Sequence, residues 1–314
     1  MSEKKISDNL LSKIAQLYYN EGATQDQISK KINLSRTQVN RYLKEARNRK
    51  IVKIEVVVIN EKFNEMERLI EKNYKIKECI IVDSNQNIND IYKSLSVKFC
   101  ELIERIIDSI EFIGVGWGKT LYNTLIRSDF KRAYKTQILP LIGGLGITDS
   151  DMSTNAIAKI FADKIGGKNL LIHSSALYDT KEVRDMIINE SRIKLIMDLY
   201  KKINIAVVGI GDLSPDVTFI KAIGLDNEKI NMLKAMGIIG EICGLFIDKN
   251  GVFVPNEIND RMISIKFDDL KSIKNVIGIS FGNSKIEIIK AALNSKVIDI
   301  LITDIETAEE LIKA

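Results

Sequence analysis

Residues 114–120, GVGWGKT, end in the Gly-Lys-Thr of a nucleotide-binding P-loop. An apolar segment, Ile110 to Val115, precedes them, and LYNTLIR, which reads as the start of a helix, follows. Strand, Gly-rich turn and helix form the arrangement in which backbone N–H groups and a helix N-terminus hold an anion. A P-loop, however, needs a glycine five positions before the glycine of Gly-Lys-Thr, and five before Gly118 stands Ile113. The loop is one residue short and carries a bulky Trp117. The chemistry indicated is an anion cradle; a nucleotide triphosphate site fails on spacing.

Four further Gly-rich turns end apolar, strand-like runs: LIGGLG, GIGD, GEICG and SFGNSK. Glycine at such ends lets backbone approach a ligand closely, and exposed N–H groups favour phosphate. Lys119 and Lys285 lie in two of the five turns and Glu241 in a third. Lysines and N–H groups suit a phosphate, whereas a carboxylate suits sugar hydroxyls, so the set points to a phosphorylated sugar or similar polyol. NAD is not indicated, because GVGWGK lacks the third glycine in place and no ribose-binding acid follows at the usual distance. Asp212 mimics a Walker-B acid but, without a true P-loop, reads as a turn cap or a pocket residue. The single histidine, His173, lies in an apolar run and reads as structural.

A second group of chemically capable residues lies in the first sixty. There, 12 Lys or Arg stand against 6 Asp or Glu, a net of +6; the remainder holds 34 against 36, a net of −2. A basic module on a near-neutral body is the charge distribution of a nucleic-acid-binding head. Three helical patterns run through it. The first, Asp8 to Asn20, stripes Leu10, Leu11, Ile14, Leu17 and Tyr18 and stops at Gly22. Thr24 caps a second helix carrying Ile28 and Ile32; after Asn33 and Leu34, Ser35 caps a third with Val39, Leu43 and Ala46 on one face. Two helices joined by so short a turn, the second polar and basic outward, describe a helix-turn-helix. Arg36, Asn40 and Arg41 are able to bond base edges in the major groove, and Ser35, Thr37 and Lys44 suit phosphates. Thr24 and Gln25, opening the second helix, complete the expected DNA-contacting set. The alternating IVKIEVVV at 51–58 reads as the strand of a wing.

The elements that must position the turns alternate regularly. Residues 61–73 form an amphipathic linking helix. Strand and helix patterns then follow one another to Ala314, through ECIIVD, EFIGVG, QILPLIGG, NLLIHSSAL, INIAVVGIG, GEICGLFID, VIGISFG and IDILITD. Several of these strands are continuously apolar, as a sheet covered on both faces requires, which predicts a parallel α/β sheet with ligands beyond the carboxyl ends of its strands. At 314 residues, two domains are expected, 1–58 and 59–314. Three scattered cysteines argue against a disulfide framework or a zinc site, and no apolar run is long enough for a membrane span or a signal peptide. A cytoplasmic protein without metal or cofactor is expected.

These motifs resemble the SorC family of sugar-responsive bacterial transcriptional regulators. The likeness covers GATQDQISKKINLSRTQVNRYLKEARNRKIVKIEV in the head. In the body it covers GVGWGKT, LPLIGG, NIAVVGIGD, GEICGLFIDKNG and the long stretch VIGISFGNSKIEIIKAALNSKVIDILITDIETAEELI. The resemblance implies a winged helix-turn-helix and a Rossmann-like α/β effector domain similar to sugar-phosphate isomerases and deaminases. It also implies a homo-oligomer, typically a tetramer, whose binding to double-stranded operator DNA, for example as a repressor, is altered by a phosphorylated sugar. Carried over residue by residue, Gly116, Gly118 and Thr120 match the phosphate-side loop, Glu241 the acid that binds hydroxyls, and Lys285 the lysine of the last Gly-rich turn; Lys119 and Gly282, in the same turns, complete the expected effector-binding set. Two residues depart from the family pattern. Lys50 stands where glycine is usual before the wing, and Phe281 replaces the first of a glycine pair and narrows the pocket. The rival expectation is a sugar-phosphate isomerase or deaminase with an accessory head, and against it stands the lack of an acid/base set. A P-loop NTPase comes third.

Overall fold

In the computed structural model, which describes residues 6–53, 61–84, 87–145 and 152–313, the chain divides into two units, Met1–Ile59 and Asn60–Ala314. Helix starts in the first unit are set by side chains that take up orphan backbone N–H groups. Ser7 caps α1 (Asp8–Ala15). The helix widens into a π turn over Gln16–Asn20 before Gly22, at φ +67°, ends it. Helices α2 (Gln25–Ile32) and α3 (Arg36–Asn48) each begin with a complete capping box, Thr24 with Gln27 and Ser35 with Gln38. Between them Asn33 takes the left-handed conformation, at φ +55°. Ile14, Leu17, Ile28, Val39 and Leu43 are buried in one small core shared by the three short helices, and Leu11 packs with Ala15 and Ala46 in a second. The wing strand expected at 51–58 lies largely outside the described residues.

In the second unit α4 (Glu61–Tyr74) leads to β1 (Glu78–Val82), α5 (Ile88–Ile106), β2 (Phe112–Val115) and α6 (Lys119–Arg127). Then come β3 (Gln137–Pro140), α7 (Thr154–Ile165), β4 (Lys168–Asn169), α8 (Lys181–Ile188) and α9 (Ser191–Leu199). Next are β5 (Ile205–Gly209), β6 (Gly211–Asp212), α10 (Thr218–Ala222), α11 (Asn227–Ala235), β7 (Ile238–Ile242) and β8 (Leu245–Asp248). The chain finishes with α12 (Glu257–Asp260), α13 (Phe267–Ser272), β9 (Asn275–Ile279), α14 (Ile286–Asn294), β10 (Ile300–Asp304) and α15 (Ile305–Ile312).

Seven strands form one parallel sheet in the order β1-β10-β9-β5-β2-β3-β4. Alternate residues of β5 feed opposite cores: Ile205 and Val207 join Phe99, Leu121 and Phe161 on one face, while Ala206 and Val208 join Leu270, Ile289 and Leu301 on the other. This is why the strands read as unbroken apolar runs. Each Val, Ile or Leu so buried contributes about 1.5–3 kcal/mol. The outer edge of β1 is closed by α4, whose Glu71 and Glu67 carboxylates accept the Cys79 and Ile81 N–H groups at 3.0 and 2.9 Å.

The expected α/β architecture is present, with three local departures. GEICGLFID is not one strand but a hairpin, because Cys243 and Gly244 both take positive φ (+53° and +77°) and turn β7 back on β8. With β6 these strands make a separate antiparallel sheet, β6-β7-β8. The strand expected from NLLIHSSAL shrinks to Lys168–Asn169, after which Ser175 and Leu177 make only isolated bridges to Gly144 and Met262. Leu171 and His173 there face solvent, so the run is apolar in composition but not sheathed on both sides. The single helix expected near 181–200 breaks because the Glu190 carboxylate accepts the Arg192 and Ile193 N–H groups and starts α9 afresh.

At the end of α3, Lys50 sits at φ +58°, a left-handed conformation that costs a side-chain-bearing residue about 1–2 kcal/mol and glycine almost nothing. Glycine's greater unfolded-state entropy offsets part of that. Lys50→Gly should therefore stabilise the head by roughly 0.5–1 kcal/mol. Amide hydrogen exchange across α3 of the full-length chain should slow roughly two- to fivefold; faster exchange would show the conformation is not costly here.

Candidate functional site

Two constellations emerge, one in each unit. In the first, the buried residues of α3 (Val39, Leu43, Ala46) set its inner face, and Arg36, Thr37, Asn40, Arg41 and Lys44 are all exposed opposite. Arg47 joins them; sequence reasoning passed over it, although its i+3 spacing from Lys44 was visible. Arg36 lies 3.6 Å from Asp26 with its side chain 70% exposed, an ion pair too solvated to hold it back. Arg41 rests over the Tyr42 ring at 5.2 Å. Thr24 and Ser35 are exposed, but their hydroxyls already accept the Gln27 and Gln38 N–H groups, so they fix helix ends first. Gln25 is half-buried at the start of α2.

In the second unit, a cleft of ≈ 370 Å³ opens among the carboxyl ends of the strands. Gly118, Lys119, Thr120, Glu241 and Lys285, distant in sequence, line it together. Gly118, at φ +135°, is the N-cap of α6, and no side chain caps this helix. The first-turn N–H groups of α6 thus face the cleft's side of the sheet with the positive end of the helix dipole. Thr120 is half-buried there and Lys119 is exposed.

Glu241 is the deepest polar group of the cleft, 6% exposed. β7 places it opposite Gly211 of β6, where a side chain would collide with its Oε1. Its Oε2 accepts the Gly244 N–H at 2.7 Å across the hairpin turn. Burial pushes its pKa up to about 7, countered by that hydrogen bond and by Lys285, and aided by Asp212. Burial likewise lowers the pKa of Lys285, while Asp212 and Glu241 raise it. Asp212 fulfils both roles expected of it: it lines the cleft and accepts the Ser214 N–H at 2.6 Å.

Two glycines assigned to the ligand lie outside this lining. The Gly116 N–H is bonded to Val207 O at 2.8 Å within the sheet, and a Cβ there would stand 2.9 Å from Cys243 Sγ; its role is close packing beneath the loop. The Gly282 N–H is spent on Thr307 Oγ1 at 2.8 Å. Sequence reasoning also missed the cleft's aromatic side. Tyr92 from α5 and Phe219 from α10 join Trp117 and Phe281 there, and nothing in their local patterns distinguishes them from core residues. His173 is exposed and outside the cleft lining. Among the described residues no group of His, Cys, Asp and Glu could hold a metal ion, and no helix is long and apolar enough to cross a membrane.

Comparison with known proteins places both constellations in context. Residues 59–313 match the family described as "Putative sugar-binding domain", and residues 14–53 match "Winged helix-turn-helix DNA-binding". The chain is 29% identical over 313 residues to the sorbitol operon regulator of Klebsiella pneumoniae, covering 97% of this chain and 98% of that one. It is 26% identical over 299 residues to the deoxyribonucleoside regulator of Bacillus subtilis, covering 95% of each. The crystal structure of the full-length sorbitol operon regulator superposes with a TM-score of 0.76 at 27% identity, over 98% of this chain and all of that one.

A carboxyl whose folded pKa is raised from 4.5 to about 7 binds its proton more tightly folded than unfolded. Its ionisation therefore costs nothing below about pH 4.5, and the cost grows until the pH passes the folded value. Glu241→Gln, which stays neutral, should gain stability relative to wild type as pH rises through that window, by on the order of 2–3 kcal/mol. Urea unfolding at pH 5 and pH 8 checks this; a stability gap independent of pH would refute the buried-carboxylate assignment.

Proposed function

This chain belongs to the SorC family of bacterial transcriptional regulators, and we propose that its cleft takes a phosphorylated sugar whose binding alters operator recognition by the head. Its relatives are regulators and not enzymes, and the chain is read accordingly as a transcriptional regulator with a helix-turn-helix and a sugar-binding domain. The observation that carries the effector's chemistry is the pairing, within one cleft, of an uncapped helix N-terminus and Lys285 with the Asp212 and Glu241 carboxylates. A phosphate suits the first pair and hydroxyls the second. The helix supplies N–H donors and dipole, and Lys285 adds a charge-assisted contact. Lys119, being exposed, closes over the anion only from outside. Glu241, with its pKa pushed up to about 7, is part protonated and part ionised near pH 7; protonated it donates to a hydroxyl, and ionised it accepts from one.

In this reading residues 1–58 are the DNA-binding domain and 59–314 the effector and oligomerisation domain of a cytoplasmic homotetramer. One helix-turn-helix reads one half-site, so useful affinity needs paired heads. The ligand shifts DNA binding only by its difference in affinity between the two states.

Two sets of measurements test the proposal. Thr120→Ala and Lys285→Ala should each weaken sugar-phosphate binding by about tenfold or more in calorimetry, and should remove the ligand's effect on promoter binding. Intact binding in both variants would sink the phosphate assignment. In the head, Arg41→Ala and Asn40→Ala should each cost about 1–3 kcal/mol at a cognate site and relax base preference. Wild-type affinity should fall with salt at a slope of roughly −0.9 per phosphate neutralised. A chain lacking residues 1–58 that retards its promoter as well as the full-length protein does would exclude the head as the reader.

A further inference from the structure

Lys119, Lys285, Asp212, Asp216 and Glu241 supply the charge of the cleft, whereas Phe281, Tyr92 and Trp117 supply aromatic rings. Phe281 meets Tyr92 edge to face, with ring centroids 5.6 Å apart at 78°. Tyr92 is itself buried, and the Arg127 guanidinium lies over its ring at 5.5 Å, held by Asn123 Oδ1 at 2.8 Å and Asn89 Oδ1 at 3.1 Å. That ring is braced from behind. Two N–H groups beside Phe281 are already taken: the Trp117 Nε1 donates to Met152 O, and the Gly282 N–H to Thr307 Oγ1. Phe281 is four residues from Lys285 in the same turn, so a ligand of sugar size anchored on that lysine passes this ring.

Building on the sugar-phosphate reading above, we propose that Phe281 is a specificity-determining residue, and that the effector turns a deoxygenated carbon toward it. A hydroxyl pressed against the phenyl ring gives up water on that side and gains no conventional hydrogen bond from the ring, which is unfavourable. A methylene or methyl group there loses nothing and gains contact with the ring. Discrimination by an apolar surface against one added hydroxyl is moderate, up to about a hundredfold; the open cleft places the expected preference at about tenfold.

Matched pairs of sugar phosphates read this out by calorimetry on the full-length protein: ribose and 2-deoxyribose 5-phosphate, glucose and 2-deoxyglucose 6-phosphate, fructose and 1-deoxyfructose 6-phosphate. At least one deoxy member should bind wild type about tenfold more tightly than its hydroxylated partner. Phe281→Ala should bring that pair to within about threefold, and Phe281→Leu, which keeps an apolar surface, should retain the preference. Thermal melts of both variants confirm that they fold. Equal binding within every pair, or a preference that survives Phe281→Ala, overturns the role of Phe281 while leaving the phosphate site standing. If none of the six ligands binds wild type, the sugar-phosphate reading falls, and this inference falls with it.

Discussion

A parallel sheet buried on both faces is the constraint from which the rest of the second unit follows. The central strands must supply apolar side chains to two cores at once, so their interiors have no room for chemistry. β5 shows the result most plainly, with Ile205 and Val207 committed to one core and Ala206 and Val208 to the other. Polar function is displaced to where the strands stop. Because all seven run the same way, the turns after β2, β5 and β9 fall at one end and deliver Thr120, Asp212 and Lys285 to one cleft.

The deepest of the cleft's charges depends on a second, smaller sheet. Glu241 comes from β7, which pairs with β6 and β8 and not with the parallel strands. The hairpin turn that reverses β7 also presents the Gly244 N–H to the carboxylate it has just carried inward. One backbone reversal thus positions the acid and partly compensates its burial.

Legibility from sequence followed how local the governing interaction is. Capping residues act within one helical turn, and Thr24 and Ser35 stand in sequence where they act in space. Buried strands announce themselves by composition, and the short spacing of GVGWGKT was enough to set aside a P-loop. What escaped depends on contacts between distant segments. NLLIHSSAL has the composition of a strand but lacks a neighbour along most of its length. The Cys243-Gly244 turn is encoded by a backbone conformation that cysteine does not advertise. Gly116 looks like a ligand glycine until the strand beside it is seen to claim its N–H. Tyr92, on a helix nearly two hundred residues from Phe281, meets that ring only after folding. Lys50 is a different case: the family pattern flagged it, and its left-handed backbone gives the physical reason that glycine is usual there.

The carboxylates of Glu67 and Glu71 bear on how copies of this chain are able to meet. An open β edge is a template on which another strand lays itself down. Here the outward N–H groups of Cys79 and Ile81 are already taken by side chains of α4. At the opposite end of the sheet, β4 offers only Lys168–Asn169. Among the described residues, one margin thus has two of its N–H donors taken and the other is only two residues long. Pairing of a further strand onto the β1 edge is thereby disfavoured.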